Sequence, residues 1–200
     1  MKKKKRQRQK IMILLGLVMI LGAFMFSLKQ LTTPIFRYIT QSETTQPVSR
    51  EEFVKTLAPH AKELQEGYGI LPSIILGQAI LESDWGQSEL ASKYNNLFGI
   101  KAYGNQKKIK LDTQEFVNEQ WITIKGDFRV YDSWEASMDD HTLLFVNGVT
   151  WNPQKYEAVL TASNYQEAAE ALQAAGYATD PTYAAKIKAV IEENSLYQYD

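Results

Sequence analysis

The spacing of apolar and polar residues changes several times along the chain, and each change marks an element. Residues 11–28 (IMILLGLVMILGAFMFSL) run without a charge. At 1.5 Å per residue they make roughly 27 Å of helix, enough to cross a hydrocarbon core, so one N-terminal transmembrane signal-anchor is expected there. A cleaved signal peptide is the competing reading, against which stand the length of the run and the lack of an A-x-A site after it. Residues 29–49 lose any period, are rich in Thr, Gln and Ser with Pro34 and Pro47, and read as a linker. From Ser49 a helical period sets in. Ser49-Arg50-Glu51-Glu52 is a capping box, followed by Phe53, Leu57, Ala61 and Leu64, and the helix should end near Gly67 and Gly69. A second helix should open at Pro72 and run to about Ser83.

Between Lys107 and Tyr131 β-branched and aromatic residues cluster, predicting an antiparallel hairpin or three-stranded sheet. Helical spacing returns after Ser133, with Trp134, Met138, His141 and Phe145 on one stripe. A further helix is expected from Asn164 to Ala175, stopped by Gly176. A last one should take Asp180 as N-cap and Pro181 at its first position. The fold class expected is α+β, mainly helical with a small antiparallel β-lobe, in a domain spanning 50–200.

Charge sharpens the organisation. Residues 2–10 hold seven of the 22 basic residues and no acid, whereas from Lys29 onward 15 basic residues face 23 acidic ones. The basic segment 1–10 should therefore stay cytoplasmic and send the domain outward. An acidic domain disfavours nucleic acid as a partner. With no cysteine, disulfides, thiol nucleophiles and lipidation are excluded, and two histidines far apart in sequence imply no metal site. No cofactor is expected, and the domain should work as a monomer.

Candidate chemistry centres on the second helix. Ile74, Ile75, Leu76, Ala79, Ile80 and Leu81 surround it, so it should be buried, with Gln78 and Glu82 on the side of Ile75. Burial and the C-terminal end of the dipole both raise the proton affinity of a carboxylate at Glu82, as a general acid requires. A Glu turned outward to water is the plain alternative. Glycoside hydrolysis usually employs a second carboxylate. Strand alternation puts Thr113, Glu115 and Val117 on one face, making Glu115 a candidate, with Asp84, Glu89, Asp112, Glu119 and Asp127 as rivals. Trp85, Tyr94, Phe98, Trp121 and Tyr131 would suit a glycan groove if they are not core. His141 reads as a core histidine.

The run GQAILESDWGQSELASKYNNLFGIKA resembles the opening of the bacterial peptidoglycan-cleaving N-acetylglucosaminidases, glycoside hydrolase family 73, with their "AxxESxWG" helix and "NNLFGIK" segment. TQEFVNEQWITIKGDFRVYDSWEASMDDH and AGYATDPTYAAKI continue the likeness in the same order, over roughly residues 50–195. The resemblance implies a lysozyme-like fold with a groove between a helical body and the β-lobe. It puts the family's catalytic Glu on Glu82, its second carboxylate on Glu115 and its tyrosine motif on Tyr177 and Tyr183. Gln78, Trp85, Asn95, Asn96, Phe98 and Tyr131 are the expected substrate contacts. Asp84 departs from the Gly of many members and adds a negative charge beside Glu82. The function implied is cleavage of the β-1,4 bond after N-acetylglucosamine in peptidoglycan strands by a membrane-anchored, outward-facing enzyme. Two alternatives remain: a muramidase or lytic transglycosylase on the same glycan, and a non-catalytic glycan-binding or assembly module.

Overall fold

The Ser49 hydroxyl oxygen accepts the Glu52 N–H at 3.1 Å and starts α1 (Arg50–Tyr68), as the capping box predicts. The computed structural model describes residues 48–117 and 120–200, with the side chains of 114–117 and 121 left aside. The expected anchor at 11–28 and nearly all of the linker lie outside the described residues. Among the described residues no helix is long and apolar enough to cross a membrane.

The 3.6-residue period of α1 buries Phe53, Val54, Leu57, Ala58, Ala61 and Leu64 on one face. The helix ends where Gly69 turns left-handed at φ 84° and returns its N–H to the Gln65 carbonyl. Next, α2 (Pro72–Ser83) is buried at every position from Pro72 to Ile80, which accounts for its apolar residues on all sides. Leu71 offers it no side-chain cap. The Asp200 carboxylate does so from the far end of the described chain, accepting the Ser73 N–H at 2.8 Å and the Ser73 hydroxyl at 2.7 Å. A negative charge at that end also suits the helix dipole.

A short α3 (Glu89–Tyr94), capped by Ser88, precedes the β-lobe, an antiparallel pair of β1 (Lys108–Val117) and β2 (Gln120–Arg129). Of the two expected forms, the hairpin is the one observed, with two strands rather than three. Ion pairs of Asp127 with Lys108 and Lys110, and of Asp112 with Lys125, lace its surface. A two-stranded ribbon is marginal by itself, so its root matters. Phe128 pairs with Lys101, whose ammonium lies 3.8 Å from the centre of the Phe128 ring, and Arg129 N–H donates to the Ile100 carbonyl at 2.9 Å.

The remaining helices are α4 (Trp134–Asn147), α5 (Glu157–Leu160), α6 (Tyr165–Ala174) and α7 (Tyr183–Glu193), followed by a 3-10 turn at Leu196–Tyr199. Met138, His141 and Phe145 form the buried stripe of α4, and Asn164 caps α6 through the Glu167 N–H. One boundary differs from expectation. Asp180 accepts the Thr182 N–H and hydroxyl at 2.8 and 2.7 Å, closing a local turn, so α7 starts at Tyr183 and not at Pro181. At the centre, α2 packs against α1, α6, α7 and the 3-10 turn. Gly77 permits the approach of α7, since a Cβ there would sit 3.1 Å from Ile191 Cγ1.

Candidate active site

Glu82 occupies the last turn of α2, where the helix emerges from the core. Its side chain is half-buried, and the Tyr183 hydroxyl donates to its Oε1 at 3.0 Å. Burial pushes its carboxyl up to about 7, against the smaller opposing effects of the Tyr183 hydrogen bond and the Lys186 charge. An acid that is half-protonated near neutrality has the property that general-acid catalysis needs. The sequence reading attributes the raised affinity to burial and the helix dipole. The structure gives Tyr183, expected from the resemblance and 101 residues later, its contact: it holds the carboxylate in place.

Tyr183 is itself buried and receives the Gln78 Nε2 donor at 3.0 Å. Tyr177 stacks on it with ring centroids 5.7 Å apart, and the Tyr177 hydroxyl is hydrogen-bonded to His141 Nε2 at 3.2 Å. The sequence motif that names both tyrosines is thereby resolved into two roles. Tyr183 touches Glu82, and Tyr177 backs Tyr183. Burial raises both phenols well above their usual value, so both keep their protons. His141 is fully buried, lies 3.8 Å face to face with Phe98, and is pushed down to about 3 by burial; it is a neutral core residue.

The turn after Glu82 is tightly constructed. Asp84, Trp85 and Gly86 take φ of 51°, 59° and 77° in succession. Left-handed backbone costs a residue with a Cβ roughly 1–2 kcal/mol, so something must hold it. Ser83 does this: its hydroxyl donates to the Ala79 carbonyl at 2.5 Å and accepts the Gly86 N–H at 2.7 Å. At Gly86 even space is lacking, because a Cβ would stand 2.8 Å from Phe53 and 2.9 Å from Trp134. Asp84 is exposed and caps α2 in the left-handed region, where Asp is among the more tolerant side chains. That explains how Asp can replace Gly there. The causes acting on Glu82 are burial, Tyr183 and Lys186, with Asp84 absent from them.

Several expected substrate contacts turn out to face inward. Gln78 is fully buried. Trp85 is 8% exposed, with the Arg50 guanidinium 4.9 Å from its ring centroid and Phe53 edge-on to it. Phe98 is committed to His141. Tyr131 is 7% exposed, and its hydroxyl donates to Asp140, which also pairs with Arg129 at 2.8 Å. Asn95 is half-buried, left-handed at φ 55°, and donates to the Tyr131 carbonyl. Asn96 is buried and makes three hydrogen bonds, donating to the Ile100 and Arg129 carbonyls and accepting the Ile100 N–H. Gln78, Trp85, Asn96, Phe98 and Tyr131 are thus buried parts of the frame, and Asn95 is half-buried beside them. The motif could not reveal this, because backbone-pinning Asn and buried aromatics are spelled the same as ligand-binding ones. Asn96→Ala strips three bonds from part-buried backbone and should lower stability by about 2–4 kcal/mol in urea denaturation. A change near zero would contradict the pinning role.

Of the acids considered beside Glu82, Glu89 pairs with Lys93, and Asp112 and Asp127 pair with lysines of the hairpin. Glu119 lies outside the described residues. Glu115 sits in β1 directly opposite Ile122. Among the described residues no cluster of three or more His, Asp or Glu is placed to hold a metal ion.

Comparison with known proteins places this arrangement. The family model described as mannosyl-glycoprotein endo-beta-N-acetylglucosaminidase matches residues 58–196. The chain is 44% identical over 201 residues to the exo-glucosaminidase LytG of Bacillus subtilis (strain 168), covering all of this chain and 70% of that protein. It is 35% identical over 191 residues to a probable N-acetylmuramidase of Lactococcus lactis subsp. cremoris, covering 92% of this chain and 42% of that protein. The solved catalytic domain of the autolysin Auto from Listeria monocytogenes superposes with a TM-score of 0.71 at 34% identity, covering 80% of this chain and 92% of that one. The chain belongs to the glucosaminidase family, glycoside hydrolase family 73, and is a glycoside hydrolase of mainly helical, lysozyme-like fold with a two-stranded antiparallel sheet.

Proposed function

We propose that the chain hydrolyses the β-1,4 bond after N-acetylglucosamine in peptidoglycan, with Glu82 as general acid. The observation that carries this is Glu82 itself: a carboxyl raised to about 7 at the exit of a buried helix, hydrogen-bonded by the Tyr183 hydroxyl. Protonated Glu82 gives its proton to the glycosidic oxygen as the C1–O bond breaks. The Tyr183 hydroxyl then donates to the carboxylate that forms. Positive charge develops on the sugar ring, and water completes the reaction at C1 after losing a proton to a base. Glu115, carried on β1, is that base in this reading; strand alternation and the family resemblance support it. No metal or organic cofactor enters.

The domain limits follow the same reading: a cytoplasmic basic segment at 1–10, an anchor at 11–28, a linker at 29–49 and the hydrolase at 50–200. The basic block and the uncharged run support a single-pass protein whose catalytic domain faces outward as a monomer on the cell wall. Cleavage of the anchor, with release to the wall, is the other form of this proposal. Full-length protein retained in membranes after alkaline washing separates the two.

Two relatives differ on the bond, one being a glucosaminidase and one a probable N-acetylmuramidase. LytG is an exo-glucosaminidase, whereas the family description names endo action. Mass spectrometry of fragments from purified peptidoglycan tests the whole reading. Fragments with reducing N-acetylglucosamine are expected. Reducing muramic acid would replace the proposal with a muramidase, and a 1,6-anhydro sugar with a lytic transglycosylase. Binding to sacculi without release of any reducing end would make the chain a glycan-binding module. Disaccharides alone would indicate exo action, and longer oligosaccharides endo action.

A further inference from the structure

Gln78 stands one turn before Glu82 on α2, with no exposed surface, so no substrate atom reaches it. Burying a primary amide is costly unless its groups are bonded, and its Oε1 has no partner among the described residues. The residue is therefore not there to stabilise the core. Met or Leu would fill the same volume at less cost. What its amide does is directional. Nε2 donates to the Tyr183 hydroxyl oxygen at 3.0 Å, and that hydroxyl's own proton goes to Glu82 Oε1, also at 3.0 Å. A hydroxyl that accepts on one side is a stronger donor on the other, and its rotor is fixed. Stacking against Tyr177, whose hydroxyl is tied to buried His141, keeps the Tyr183 ring from swinging away.

We propose that Gln78 is a positioning residue for the reaction: by donating to Tyr183 it directs the Tyr183 proton onto Glu82, and so fixes the orientation and the protonation of the general acid. This rests on the reading of Glu82 as the acid. Among the described residues, the groups that face Glu82 are Tyr183 and Lys186 of α7 and Tyr177 from the turn before it. Lys186 is held by Asp180 at 2.5 Å, so replacing Gln78 leaves its charge in place. With the Gln78 donor gone, Tyr183 donates more weakly to ionised Glu82. The carboxyl then keeps its proton to higher pH, and the carboxylate formed during bond cleavage is less well stabilised.

The test is the pH profile of peptidoglycan hydrolysis by Gln78→Met and Gln78→Asn. Methionine keeps the volume, and asparagine keeps the amide but is too short to reach Tyr183. Both should lower kcat by about tenfold and leave KM nearly unchanged. Both should move the alkaline limb of kcat/KM upward by about half a pH unit. Because Gln78 acts through Tyr183, adding either change to Tyr183→Phe should cost nothing further. A raised KM with an unmoved limb, or losses that multiply in the double variants, would overturn the proposal. If one variant fails to fold, the other carries the same readouts. Glu82→Gln is run alongside. If it remains active, the acid assignment falls; if it is dead while both Gln78 variants behave as wild type, only the Gln78 role falls.

Discussion

Glu82→Gln should lower turnover on peptidoglycan by at least about 100-fold, the usual scale for losing a general acid, while leaving the protein folded and above neutral pH more stable. Glutamine keeps the shape and still accepts from Tyr183, but it has no proton to give. The stability effect has a definite sign. The folded carboxyl is raised to about 7 from an ordinary value of 4.5, so between those limits the folded state holds a proton that the unfolded state has released. Wild-type stability therefore falls as pH rises from about 4.5 to 7. The whole shift is worth at most about 3 kcal/mol, and less after allowing for the part of the side chain that solvent reaches. Glutamine removes this penalty. Melting curves of the two proteins should agree near pH 4 and separate progressively toward pH 8, with the variant higher. In the wild type, kcat/KM should decline as pH rises past about 7, because the acid must carry its proton. An active Glu82→Gln enzyme would place the acid elsewhere, and a variant no more stable at pH 8 would mean that the carboxyl is not destabilised by burial.

Most of the helical architecture was legible because local signals and global packing agree. Ser49, Pro72, Ser133 and Asn164 each begin a helix where capping chemistry says they should. The all-round apolar character of 74–81 correctly marked the buried helix that delivers Glu82. Sequence reading was weaker where a long-range partner decides. The cap on α2 comes from Asp200, and the donor to Glu82 comes from Tyr183; neither spacing appears in any local pattern. The same holds for Gln78 and Asn96. The resemblance puts them among the substrate contacts, but the fold closes over them and turns their amides to a tyrosine and to backbone carbonyls. A short element such as α5, four residues long, has too little period to be read at all.

Glu115→Gln should reduce kcat strongly and leave KM nearly intact if Glu115 is the base, because only the transition state then loses an interaction. The expectation follows from its strand. Thr113, two residues earlier on the same alternation, is buried, and β1 pairs with β2, which is pinned at its root to the 100–102 segment that Asn96 organises. A base on a two-stranded ribbon needs such an anchored root to reach across a glycan reproducibly. If Glu115 contributes only to the electrostatics of the groove, the loss should be on the order of tenfold, and the two cases separate with azide. Azide attacks C1 without giving up a proton, so it needs no base. Glu115→Ala in azide should recover activity and form a glycosyl azide, whose anomeric configuration reports inversion or retention. Glu82→Gln supplies the control, because azide cannot replace an acid that protonates an unactivated sugar oxygen. An unimpaired Glu115→Gln enzyme would remove the second carboxylate from the mechanism. Tyr183 and the substrate's own acetamido group would then have to stabilise the charge that develops at C1.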